Sequence, residues 1–282
     1  MTMMKKWLLL AAAMAALMVS GCGTLKGPKV DMSSLGEIHA IVREEGSGTK
    51  NEFERLLGAE KKTKGKQANS TEDVVKLVAS DSNAIGYVAY DAVKDPVKGV
   101  KVLAVEAQKP TDKAISDGKY PLTRTYYLCY LGEPTEAITD LITFAKGAGQ
   151  GVVPQFATPL RTPVSFLSNK PAGTLTIEGS TSVTPLMKAM VERYSVLDPN
   201  LKITLKATDS AKGLNAAINR KIDLAMSSRN LKQYESELLT AEPIARDGIA
   251  LIVNEKNPLT TLTKEQIRDL FSGKWKNWKE LE

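Results

Sequence analysis

The sequence predicts an α/β fold with covered sheets. Short apolar runs of strand length alternate with segments of helical period along most of the chain. Hydrophobic residues are 43% and charged residues 25% of the 282, the balance of a folded protein and not of a disordered chain or a coiled-coil rod. Two turns share one grammar: Gly46-Ser47-Gly48-Thr49 and Gly179-Ser180-Thr181-Ser182 each follow an apolar run and each precede a helical pattern.

The chain opens with an export signal, expected over 1–21. Lys5-Lys6 supply the positive start, Trp7 to Val19 an apolar stretch too short to span a membrane comfortably, and Ser20-Gly21 the small residues before a cleavage point. Val19-Ser20-Gly21-Cys22 resembles a bacterial lipobox, which implies cleavage before Cys22 and lipidation of its thiol; an ordinary signal with a chance cysteine is the alternative reading. Residues 22–36 are expected as a lipid-anchored tether. Without Lys5 and Lys6, 36 Lys and Arg face 32 Asp and Glu, so the charge falls from +6 to +4. That mild, dispersed excess suits an anionic ligand or surface better than nucleic acid. One His and two Cys argue against structural zinc, iron–sulfur clusters or a disulfide scaffold, so no metal and no cofactor is expected.

The elements follow in order. Ile38–Val42 is a strand, the first Gly-Ser turn comes next, and Phe53, Leu56 and Leu57 mark one face of a helix. Residues 59–69 read as a loop. Ser70-Thr71-Glu72-Asp73 starts a helix through Val74–Val78. Strands are predicted at Ala84–Val88 and Lys101–Val105, and at Thr125–Leu131, which holds Cys129 as a buried small hydrophobe. A helix runs from Pro134 to about Lys146, and a Pro-punctuated stretch covers 154–171. Then come strand Thr174–Ile177, the second Gly-Ser turn, a helix carrying Leu186, Met190 and Tyr194, strand Lys202–Leu205, loop Thr208-Asp209-Ser210, helix Leu214–Asn219, and strands Leu224–Met226 and Gly248–Val253. Thr263-Lys264-Glu265-Gln266 has the capping-box form ahead of a helix through Phe271.

The paired turns are the strongest chemical signal. A helix start presents unpaired N–H groups and partial positive charge to an anion, glycine lets the backbone approach, and Ser and Thr add donors without bulk. Arg43 could add a bidentate fork. Each turn also fits a plain N-cap. Rival motifs fit less well. There is no Gly-x-x-x-x-Gly-Lys-Ser/Thr run. Ser47-Gly48-Thr49-Lys50 matches Ser-x-x-Lys, but no Ser-Asp-Asn or Lys-Thr-Gly accompanies it, which leaves a Ser47/Lys50 hydrolase as a weaker alternative. His39 reads as a core or edge strand residue, Glu44-Glu45 as a solvated pair, and the Trp275 to Trp278 cluster with its lysines as a packing anchor.

At this point the sequence resembles a known family, the phosphate-binding proteins that deliver substrate to ABC importers, PstS-like proteins of the type II periplasmic-binding-protein fold. The stretches that carry the resemblance include Val-Arg-Glu-Glu-Gly-Ser-Gly-Thr (42–49), Ile-Glu-Gly-Ser-Thr-Ser-Val-Thr-Pro-Leu (177–186), Ile-Asp-Leu-Ala-Met-Ser-Ser-Arg-Asn-Leu (222–231) and Phe-Ser-Gly-Lys-Trp-Lys-Asn-Trp-Lys-Glu-Leu (271–281). In the family the Gly-Ser-Thr-Ser half comes first, and the segment like 277–281 runs directly into the one like 38–42. The order here therefore resembles a circular permutation, with 147–173 as the new connection.

The resemblance implies two α/β lobes around a central ligand cleft. Lobe one is expected over 124–252, and a discontinuous lobe two over 37–123 plus 253–282. The implied phosphate ligands are Arg43, Ser47, Gly48 and Thr49 from lobe two, and Ser180, Thr181, Ser182, Ser210 and Ser228 from lobe one. Ser228 falls where some members use an aspartate to accept the proton of phosphate, and Asp209 is a candidate substitute. The implied partners are inorganic phosphate, a membrane permease and the membrane itself through lipid on Cys22, with no nucleic acid and a monomeric chain. The implied place is the outer face of the bacterial cytoplasmic membrane or the periplasm. The same fold tuned to another oxyanion, or serving as a sensor, is the alternative.

Overall fold

Six of the helices begin where a short polar side chain caps them, in a computed structural model that describes residues 30–59 and 62–281. Ser47, Ser70, Thr111, Thr135, Asp209 and Thr263 each accept the backbone N–H three residues on, at 2.8–3.3 Å. Each bond satisfies one of the donors that a helix start leaves open. The expected signal segment and Cys22 lie outside the described residues.

The first half contributes β1 (His39–Arg43), α1 (Gly48–Leu57), β2 (Lys66–Ala68), α2 (Thr71–Ala79), β3 (Ala84–Ala89), β4 (Val100–Val105), α3 (Asp112–Ser116), β5 (Thr123–Leu131) and α4 (Glu136–Lys146). The second half adds β6 (Gly173–Ser180), α5 (Thr184–Leu197), β7 (Leu201–Thr208), α6 (Ser210–Ile218), β8 (Leu224–Ser227), α7 (Gln233–Ser236), β9 (Leu239–Asn254), β10 (Thr261–Leu262) and α8 (Lys264–Ser272). The strands join in the order β2-β1-β3-β9-β5-β8-β6-β7, with β4 on β9 and β10 on β4. β9 is 16 residues long. Its first part pairs antiparallel with β5, with a register shift at Tyr126/Tyr127, and its last part pairs with β3 and β4.

A smaller apolar core around Val74, Val78, Val88 and Ile252 packs α2 against β3 and β9, and two large ones flank this shared strand. One gathers Phe144, Leu186, Met190, Tyr194 and Met226, with Cys129 in a smaller cluster nearby. The other gathers Phe53, Tyr87, Leu251, Phe271 and Trp278. Phe53 stacks on Tyr87 at 4.0 Å between ring centres, and Phe271 meets both rings edge-on, which fixes α1 against β3. The chain thus forms two α/β lobes, each with its own core, joined by β5 and β9.

Several features were not expected. β2 lies inside the segment read as a loop. α3 went unread, α6 starts four residues earlier than predicted, and β9 extends nine residues ahead of Gly248. His39 sits at the start of β1, half exposed, with Nδ1 2.6 Å from Asp81. Met32 and Leu35, at the end of the expected tether, are buried in the second core. The chain's first and last described segments lie side by side: Ile38 N–H donates to Lys276 O at 2.8 Å, and Trp278 N–H to Gly36 O at 3.1 Å. Trp278 is buried, and its indole N–H donates to Asn83 O at 3.0 Å, the work of a packing anchor.

The connection between the lobe-one helix α4 and β6 is held, not loose. Gln150 donates to Ala145 O and Ile244 O and accepts from Leu160 N–H. Asp140, buried on α4, accepts from Ser168 Oγ at 2.7 Å, Asn169 N at 2.9 Å and Tyr194 Oη at 2.7 Å.

Candidate functional site

The two Gly-Ser turns face each other across the cleft. Ser47 caps α1, and Arg43 ends β1 just before that turn. The backbone N–H of Arg43 donates to Tyr87 Oη at 3.2 Å, so the aromatic core sets the height of this strand end. From the other lobe, β6 ends at Ser180 and leads through Thr181 and Ser182 into α5. Between the turns, Arg43 Nη2 donates to Thr181 Oγ1 at 3.2 Å, and Thr49 Oγ1 lies 3.0 Å from Ser182 Oγ. Ser210 at the start of α6 and Ser228 just after β8 complete the ring. Ser180 Oγ donates to Ser228 Oγ at 2.8 Å, and Ser228 N–H donates to Ser210 Oγ at 3.2 Å. Arg43, Gly48, Thr49, Ser180, Thr181, Ser182, Ser210 and Ser228 are thus linked across the cleft, whereas the Ser47 hydroxyl accepts from Lys50 N–H of its own helix; all but Thr181 are buried.

Two glycines are required by close approach. A β-carbon on Gly48 would stand 2.3 Å from Ser210 Oγ and 2.5 Å from Ser228 Oγ. Gly179 has φ +146°, and a β-carbon there would stand 2.3 Å from Met226 O. The first lets the lobes meet; the second lets β6 lie against β8.

Two further residues belong to the site that the sequence did not single out. Thr71, the first residue of α2, accepts from Arg43 Nη1 at 3.4 Å and lies 3.4 Å from Ser182 Oγ. In the sequence it reads as part of a helix start, and nothing local tells a cap from a ligand. Arg124, at the start of β5, reaches Thr49 Oγ1 at 2.7 Å and Ser228 O at 3.3 Å. It lies on a strand whose partner, Asp247 on β9, is 123 residues away.

Several of the charges around the cleft are paired. Glu44 takes Nε and Nη2 of Arg43 at 2.7 and 2.8 Å, and its side chain is only 14% exposed, so it is not the solvated residue that the sequence suggested. Glu45 is the solvated one, at 63%; ion pairs with Lys50 and Lys62 hold its carboxyl down at about 2. Asp247 pairs with Arg124, and burial raises its carboxyl above the ordinary range although the guanidinium and the Tyr126 hydroxyl oppose this. Asp209, the candidate proton acceptor, caps α6 by accepting Lys212 N–H at 2.8 Å, pairs with Lys212 Nζ at 3.1 Å and lies against Gly46. Its oxygens are committed to the fold.

What converges on the cleft is a shell of hydroxyls, helix-start N–H groups and one guanidinium edge. Such donors suit a small oxyanion: they solvate negative charge without adding a strong net charge of their own. A cavity of about 300 Å³ adjoins the shell, walled by Thr71, Thr181, Ser182, Val75, Pro185 and Asp91. Burial, then the nearby Asp247, pushes the Asp91 carboxyl up to about 7. Lys50 Nζ pairs with Glu45, and Ser47 Oγ accepts from Lys50 N–H. Among the described residues, no His, Cys, Asp and Glu cluster could hold a metal ion, and no helix is long and apolar enough to cross a membrane.

Comparison with known proteins shows the family. The PBP superfamily domain model matches residues 29–147 and 165–282. Phosphate-binding protein PstS 2 of Streptococcus agalactiae serotype V is 34% identical over 296 residues, covering 99% of both chains. The PstS 2 of Streptococcus pneumoniae serotype 4 is 32% identical over 291 residues, 98% of this chain and 99% of its own. A crystal structure of a phosphate ABC transporter phosphate-binding protein from S. pneumoniae TIGR4 superposes with a TM-score of 0.71 and 32% identity, over 88% of this chain and 100% of that one. The end-to-end alignments mean that the segment order read as permuted is shared with these relatives. The chain belongs to the PBP superfamily, and within it to the PstS-like phosphate-binding proteins.

Proposed function

We propose that this chain binds inorganic phosphate between its lobes outside the cytoplasm and hands it to the permease of an ABC importer, as a monomer held to the membrane by lipid on Cys22. One observation carries the reading above all: hydroxyl donors of both lobes and the Arg43 guanidinium converge within hydrogen-bond distance across a single cleft. The full-length relatives named for phosphate binding support it.

Arg43, Ser47, Gly48 and Thr49 would hold the anion from one lobe, and Ser180, Thr181, Ser182, Ser210 and Ser228 from the other. Desolvating phosphate is costly unless its oxygens are all paired, which accounts for the many neutral donors around one cation edge. Closure brings the two sets together, and the closed form presents the loaded lobes to the permease. The chain's work is binding, without turnover. The adjacent ends at 36–38 and 276–278 support the permuted reading, with 147–173 joining the old termini.

The deciding experiment is calorimetric titration of the chain lacking residues 1–22 with phosphate, sulfate, molybdate and arsenate. Phosphate is expected to bind best; stronger binding of another member of the panel would transfer the assignment to that oxyanion. An acylating serine probe is expected to leave Ser47 unlabelled, and labelling lost in Ser47→Ala would favour a hydrolase.

A further inference from the structure

Arg124 is a guanidinium with a fully buried side chain, and every polar contact it makes is directional. Nε donates to Asp247 Oδ2 at 2.8 Å, and Nη2 lies 2.7 Å from the same oxygen. Nη2 also donates to Tyr126 Oη at 3.2 Å, whose own proton goes to Asp247 Oδ2 at 2.8 Å. Tyr90 N–H donates to Asp247 Oδ1 at 3.2 Å. One side of the guanidinium is thus locked to β9. The other side, Nη1, donates to Thr49 Oγ1 at 2.7 Å in lobe two and to Ser228 O at 3.3 Å in lobe one.

A guanidinium donates and never accepts, whereas a threonine hydroxyl has one proton and two lone pairs. Thr49 Oγ1 must therefore accept from Arg124, and its single proton is turned away, toward Ser182 Oγ 3.0 Å off and the hydroxyl shell of the cleft. The short charge-assisted bond also polarises that hydroxyl. We propose that Arg124 is a positioning residue of the anion site: held by Asp247, it fixes the Thr49 hydroxyl as an obligatory donor to the bound oxyanion. This rests on the reading that the cleft binds an oxyanion, and it adds a second guanidinium that acts without touching the ligand.

A merely structural tie between β5 and β9 would stabilise the fold but would not be coupled to Thr49. The test is a double-mutant cycle read by calorimetric titration of phosphate into wild type, Arg124→Lys, Thr49→Val and the double variant. Lysine keeps a positive charge opposite Asp247 but lacks the planar fork that spans Asp247 and Thr49 together. Arg124→Lys and Thr49→Val are each expected to weaken binding about tenfold, and the double variant no further than Thr49→Val alone. Wild-type affinity in Arg124→Lys, or a double loss equal to the product of the single losses, overturns the proposal. If Arg124→Lys fails to fold by circular dichroism, the cycle moves to the background Arg124→Met/Asp247→Leu, which removes the buried pair as a unit. There Thr49→Val is expected to cost less than about threefold, and a loss as large as in wild type refutes the coupling. If the wild type binds another oxyanion of the panel and not phosphate, the phosphate reading fails and the same cycle is read with that ion. If it binds none, both fall.

Discussion

Gly48 lies so close to Ser210 that a β-carbon on it would stand 2.3 Å from the hydroxyl oxygen, with Ser228 Oγ only slightly farther. The first turn of α1 can touch the opposite lobe only because this residue has no side chain. Gly48→Ala is expected to prop the cleft open, since both serines are buried among close-packed neighbours. Phosphate affinity should fall about tenfold or more, about 1.4 kcal/mol. Small-angle scattering with phosphate present should show a larger radius than for wild type; an unchanged affinity and radius would mean that the shell yields.

Arg43 offers the cleft its remaining guanidinium edge while Glu44 holds the other. Arg43→Ala removes that donor and leaves Glu44 without its partner. The expected cost in phosphate binding is about 1.5–3 kcal/mol, the worth of a hydrogen bond to a charged group. Calorimetry reads it directly, and unchanged binding would take Arg43 out of the site.

Asp91 gives the fold a pH signature. Its carboxyl titrates near 7 in the folded chain, pushed up first by burial, and near its ordinary value of 3.8 when unfolded. Below the lower value both states are protonated and nothing is lost. Between the two the unfolded chain releases a proton that the folded chain retains, so stability falls as pH rises, and above 7 the deficit is constant. Asp91→Asn should therefore melt higher than wild type at pH 8 and at nearly the same temperature at pH 3.5. Parallel melting curves across that range would contradict this.

Asp140 fastens the connection that runs to β6. Three donors converge on its buried carboxylate, two of them, Ser168 and Asn169, from the connection itself. Asp140→Ala should cost about 3 kcal/mol in denaturant unfolding. It should also expose the segment around Leu167, already 90% exposed, to limited proteolysis. Phosphate binding should not change, because the site lies on other elements.

The helices and the paired turns were legible because their signals are local: a cap, an apolar stripe, a glycine before a hydroxyl. Thr263 and Gln266 form the capping box that their spacing announced. The unread parts depend on distant partners. β2 is three residues, Lys-Gln-Ala, and is a strand only because β1 lies beside it. The first part of β9 contains Glu242, Pro243 and Arg246, a poor strand by composition, yet Pro243 sits opposite Tyr127 where the register shifts. Arg124 and Thr71 carry no motif, and their place in the site follows from contacts 75 and 111 residues away. Glu44 misled for the opposite reason: beside Glu45 it looked like half of a solvated pair, but the turn that follows β1 separates the two carboxylates, giving Glu44 to Arg43 and leaving Glu45 to Lys50 and Lys62.

The single long strand β9 has a mechanical consequence. Because it is built into the sheets of both lobes, opening cannot be a swing about a slack linker. The lobes are joined through the β5–β9 ribbon, and near Leu122 and Ile249 one hydrogen bond at 2.8 Å ties the two strands. Arg124 on β5 and Asp247 on β9 are clamped together beside that bond, and the same guanidinium reaches the Thr49 hydroxyl, so the joint between the lobes and the rim of the cleft share one side chain.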